Sequence, residues 1–174
     1  MKKWAFVSYI VIISILAIGL FYYLPFTNKV NLVGTEVKRE IRSGPNGDFL
    51  KDIQYVSAKD IATGKTLMYK NEGTPWPLSP YVKFDSRDLT RKVISLEEYK
   101  PGAIVLATYF GFHLPILNMY PNITGVKAVG SDYKPNSNFN IVVTVIFLST
   151  VLLSFIWLIR KFRQPENIAS SKLT

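Results

Sequence analysis

Few residues in this 174-residue chain can do chemistry. There is one histidine, His113, and there is no cysteine. A zinc site needs convergent ligands, and His113 has no second imidazole or thiol to join it. A nucleophile with a base would have to be Ser86 with His113, oriented by Asp85 or Asp88. Asp85-Ser86, however, stands directly before a helical pattern, the ordinary place of an N-cap. Glu97 and Glu98 are adjacent, and neighbours on a helix face different ways rather than sharing a substrate. No glycine-rich phosphate loop is present. Asn122-Ile123-Thr124 matches a glycosylation sequon, but it follows Pro121 and reads as a turn. The expectation is no enzyme, no cofactor and no metal, which leaves recognition. The residues singled out for it are Trp76, Tyr81, Lys83, Phe112 and His113. Trp76, between two prolines, is a surface recognition aromatic or a plug over the core. His113, beside Leu114-Pro115, reads as a core or interface residue.

The elements that must position these residues start with two apolar runs. No charged residue occurs between Lys3 and Lys29, and a helix over residues 4–25 spans about 30 Å, the thickness of a bilayer core. The run exceeds the roughly 7–15 residues of a signal-peptide core and ends in Phe21, Tyr22 and Tyr23, as an interfacial aromatic belt does. A retained anchor is therefore expected. The second run covers 139–159 and is followed at once by Arg160, Lys161 and Arg163. With Lys2 and Lys3 ahead of the first run, each basic cluster lies on the terminal side. The positive-inside rule then places residues 1–3 and the tail 160–174 in the cytoplasm and residues 26–138 in the periplasm of a bacterial inner membrane. The termini carry +5 of the net +9, which leaves +4 for the middle segment, from 15 basic and 11 acidic residues. Much of the basic excess is thus a topology signal that needs no nucleic acid to explain it. Ser149, Thr150 and Ser154 in the second run offer hydroxyls to a neighbouring helix, an opening to oligomerisation.

The middle 113 residues must hold together without a disulfide, which a domain of that size can do. Val30, Leu32, Val37 and Ile41 alternate with polar residues over 29–42 and predict a strand with a bulge near Gly34. A dense turn at 43–48 leads to a second strand within 49–58, and Thr63-Gly64 to a third at 65–71. Three prolines in 72–80 forbid a regular element. Leu89, Lys92, Val93 and Leu96 predict a helix over about 87–96, with Asp88 in its first turn. Residues 103–110 read as a central strand, 125–130 as a last short one, and 134–138 as a linker. The fold class expected is two transmembrane helices flanking a small, mainly β, α+β domain, in the element order of an OB-type barrel.

Three ordered blocks carry a resemblance. Gly34-Thr35-Glu36-Val37-Lys38-Arg39, then Lys70-Asn71-Glu72 leading to Pro80-Tyr81 and Lys83-Phe84-Asp85-Ser86, then Ala107-Thr108 through Gly111 and Pro115 to Pro121-Asn122, together resemble an uncharacterised family of two-pass bacterial inner-membrane proteins. The likeness covers nearly the whole chain. It departs from the family where Pro75-Trp76-Pro77 stands in place of tryptophans around a glycine, and where Phe112-His113 replaces an aromatic–arginine pair. Small proteins of this design carried by prophages resemble superinfection exclusion proteins. That resemblance implies a non-enzymatic protein of a lysogen's inner membrane that meets a phage ejection component and stops phage DNA from entering. The alternative expectation is an accessory subunit of an envelope complex, with Trp76, Tyr81 and Phe112 as interface aromatics. A third is nucleic-acid contact through an OB-like face with Tyr69-Lys70 and Tyr81-Lys83.

Overall fold

The structure, a computed structural model, describes residues 2–73, 83 and 86–163. Trp76 and Tyr81 lie outside the described residues. In chain order the elements are α1 (Lys2–Tyr23), β1 (Phe26–Gly44), β2 (Gly47–Asp60), β3 (Thr66–Asn71), α2 (Ser86–Tyr99), β4 (Ile104–Phe110), a single 3-10 turn (Pro115–Leu117), β5 (Asn122–Ala128) and α3 (Asn138–Arg163). They form two compact units, Met1–Leu20 with Asn136–Thr174, and Phe21–Pro135.

The first unit pairs α1 with α3. Both are long and apolar enough to cross a membrane, and the apolar stretch of neither is buried within the structure. Their contact is aromatic and polar. The Tyr9 hydroxyl donates to the Val151 carbonyl at 2.8 Å and shares a hydrogen bond with Ser154 at 2.8 Å, and Phe6 packs on Phe155 and Phe162. Ser154 also bonds its own helix at Val151, and Thr150 bonds back to Ile146. One of the hydroxyls noted for interhelical use therefore serves it, inside one chain.

The second unit is a closed five-stranded barrel in the order β1-β2-β3-β5-β4. β1, β2 and β3 form an antiparallel meander, and β4 returns along the start of β1, Phe26 opposite Tyr109. The expected bulge in β1 falls between Leu32 and Gly34. Val30, Val56, Ala58, Tyr69, Val105, Ala107, Ile123 and Val126 fill the interior, and α2 lays Leu89 and Val93, four residues apart on one face, onto the same core. Closure is narrow. β3 meets β5 in parallel at a single pair, Lys70 with Asn122. The Lys70 amide donates to the Pro121 carbonyl at 2.8 Å, and the Asn122 side chain binds both the N–H (3.0 Å) and the C=O (2.8 Å) of Glu72. Asn122 imitates a ladder pair where the strands part.

Two expectations change here. The last strand begins at Asn122, not 125, because Ile123 is needed in the core and Asn122 at the seam. β1 and β2 also extend beyond the barrel as a two-stranded ribbon, since residues 36–44 and 47–53 pair only with each other. Pro45-Asn46 forms its tip, and Gly47 takes a φ of 101°, which only glycine adopts readily.

Candidate functional site

Every second residue of a strand faces the same side, so Glu36, Lys38, Glu40 and Arg42 share one face of the ribbon. That face meets the end of β3 to build a ring of charge. Arg42 lies 3.0 Å from Glu40 and 3.6 Å from Glu72, Lys70 lies 2.7 Å from Glu72 and 3.9 Å from Glu40, and Lys51 lies 2.5 Å from Glu72. The Tyr55 hydroxyl donates to Glu40. Burial would push the Glu72 carboxyl up, but the hydrogen bonds from Lys51 and Lys70 outweigh it and hold it below its ordinary range. Burial followed by the Glu40 hydrogen bond pushes the Tyr55 hydroxyl well above its ordinary value.

The ring forms one wall of an open groove of about 560 Å³. The β4–β5 loop at Asn118, Met119 and Tyr120 also lines it, together with Tyr22, Ile41, Gly73 and Asn122. Tyr55 and Tyr120 meet edge-to-face at 5.6 Å. Three cations face two carboxylates in the ring, and Arg42 Nε is buried without a hydrogen-bond partner among the described residues. Chemically the groove offers aromatic edges, one donor to spare and mixed charge with a small positive excess. Its described lining residues include no serine, threonine, cysteine or histidine, and among the described residues no group of three His, Asp or Glu is placed to hold a metal.

The residues singled out from sequence fare differently. Phe112 is half-buried and sets its ring edge-on to Tyr22 at 5.7 Å, and His113 lies with its ring 5.8 Å from Tyr120, so each touches a groove residue without lining the groove itself. His113 is exposed, which corrects the expectation of a core residue and leaves the interface one. Lys83 is only 7% exposed. Its ammonium donates to Asn71 and, at 2.5 Å, to the Ile123 carbonyl, where the Asn71 amide also reaches the Ser86 carbonyl and Thr90. Burial pushes it down to about 8. Lys83 therefore joins β3, β5 and α2 from within and presents no charge to a partner. Ser86 opens α2 and lends its backbone carbonyl to that network. Of the groove residues, Lys70 is named by the sequence only for nucleic-acid contact, and Glu40, Arg42, Tyr55, Glu72 and Tyr120 were missed. The two-residue spacing of charges in β1 was their one local signal.

Known proteins give the chain a family. A family model described as a protein of unknown function, DUF1523, matches residues 1–163. The chain belongs to the DUF1523 family. A relative from Haemophilus influenzae, described as an uncharacterized protein, is 28% identical over 141 residues, covering 76% of this chain and 79% of the relative. No solved structure matches. Membership of DUF1523 brings no activity with it, and neither the family nor the relative points to catalysis.

Proposed function

We propose that this DUF1523 protein is a non-enzymatic inner-membrane protein, both termini cytoplasmic, that presents a periplasmic OB-like barrel to a protein partner. The carrying observation is the groove between the β1–β2 ribbon and the β4–β5 loop. In an OB-fold the ligand face is flanked by the loops joining strands 1 to 2 and 4 to 5. The strand order, with α2 between β3 and β4, supports that likeness. The chemistry favours a polypeptide over a nucleic acid. A face for single strands needs unpaired cations beside aromatic rings, whereas Arg42, Lys51 and Lys70 are each held by a carboxylate. The basic residues flanking the two apolar helices support the topology.

In the form implied by the resemblance to exclusion proteins, the partner is a phage ejection component and the outcome is superinfection exclusion. In the other form it is a subunit of an envelope complex. Cells expressing the chain are challenged with a phage panel while adsorption and DNA entry are scored. Normal adsorption with blocked entry, relieved by Arg42→Glu or Tyr120→Ala, is the result expected for exclusion. Unchanged plating across the panel removes exclusion and leaves the envelope complex.

A further inference from the structure

The β4–β5 loop carries an apolar tip with no core to cover it. Ile116 is 98% exposed, Leu117 65% and Leu114 44%. From Gly111 to Pro121 there is no charged residue. The tip is built, not loose. Leu114 and Met119 exchange both backbone hydrogen bonds, at 2.9 and 3.1 Å, Leu117 N–H bonds the Leu114 carbonyl at 3.0 Å, and Asn118 closes the turn onto the Pro115 carbonyl with a φ of 51°. These backbone groups are thus satisfied from within, which is the condition for leaving water.

The register places the root of the loop. β1 begins at Phe26, directly after the last turn of α1 and Leu24-Pro25. β4 is antiparallel to β1 and ends opposite Phe26, so the chain that follows β4 emerges beside the last turn of α1. There the Gly111 N–H donates to the Tyr22 carbonyl at 3.1 Å, and a Cβ at Gly111, whose φ is 93°, would come within 3.4 Å of the Tyr22 ring. Tyr22 and Tyr23 close the apolar helix as interfacial aromatics do. Ile116 is five residues from this root, within about 17 Å of extended chain.

We propose that the tip at Leu114, Ile116 and Leu117 inserts into the outer leaflet of the same bilayer, a second attachment that fixes the barrel against the membrane. This rests on the reading of α1 as a membrane span. The cysteine-free chain allows single labels to be placed in the intact protein. A fluorophore at I116C is reconstituted in phosphatidylethanolamine–phosphatidylglycerol vesicles, with I12C inside α1 and Y99C at the end of α2, ahead of β4, as references. Lipids spin-labelled at shallow and deep positions and aqueous iodide serve as quenchers. The expected result is deep quenching of I12C, shallow-lipid quenching of I116C at about 5–10 Å into the headgroup boundary, and iodide quenching of Y99C alone. Deep quenching of I12C with I116C as open to iodide as Y99C overturns the insertion and spares the span. I116C shielded from lipid and iodide alike overturns it in favour of a protein neighbour. I12C unquenched by lipid overturns the span reading itself, and the insertion with it.

Discussion

Lys83, Glu72 and two buried tyrosines set how this protein responds to pH. Burial disfavours the ammonium of Lys83 and takes it from 10.5 to about 8. Between those values the unfolded chain holds a proton that the folded chain has shed, so stability rises with pH through that window. Tyr55 and Tyr69 act in the opposite sense. Burial raises both hydroxyls above their ordinary 10, the unfolded chain loses those protons first, and stability falls once the pH passes 10. The thermal midpoint of the detergent-solubilised protein is thus expected to rise from pH 8 to a maximum near pH 10, and Lys83→Met to flatten the rise. A steady decline from pH 8 would contradict the burial of Lys83. Glu72 governs the acid side. Its carboxyl is held below 4.5, so its contribution is complete above that value and lost as the pH falls through the depressed one. Glu72→Gln should cost about 1 kcal/mol at pH 7, since it takes the countercharge from Lys51 and leaves Lys70 only Glu40 at 3.9 Å, and should cost far less near pH 3. Denaturant titrations at the two pH values measure the difference.

At the scale of elements the weak point is the β3–β5 seam. With one ladder pair there, Asn122 supplies two of the hydrogen bonds that close the barrel. Asn122→Ala leaves the Glu72 amide and carbonyl unpaired and should cost about 1–3 kcal/mol in chemical denaturation, with amides of β5 exchanging faster than those of β2. An unchanged midpoint would mean that the seam is held by other groups. This same residue marks where the sequence stops being legible. Pro121-Asn122 has the chemistry of a turn, and nothing local shows that Asn122 will meet Glu72, fifty positions earlier. The three-and-four spacing of α2, the apolar run of β4 and the bulge near Gly34 are local, and each stands where the pattern put it. Lys83 and the groove are not local. A lysine in a polar, proline-rich stretch reads as solvated, and the charge ring exists only after β1, β2 and β3 have paired.

For the whole molecule, the two apolar helices and the barrel make separate demands on the sequence, and the first was the easier to read. Long uncharged runs with basic flanks need no tertiary information, whereas the groove is assembled from three strands and a loop spread over nearly a hundred residues. The central claim is that this groove binds a protein. Its most direct test is photo-crosslinking in living cells, with p-benzoylphenylalanine in place of Tyr120 in the full-length chain and at Tyr99 as a control. A discrete adduct from position 120, absent from position 99 and lost when Arg42→Glu is added, is the predicted result. No adduct at position 120, in resting cells or in cells under phage challenge, would contradict the claim.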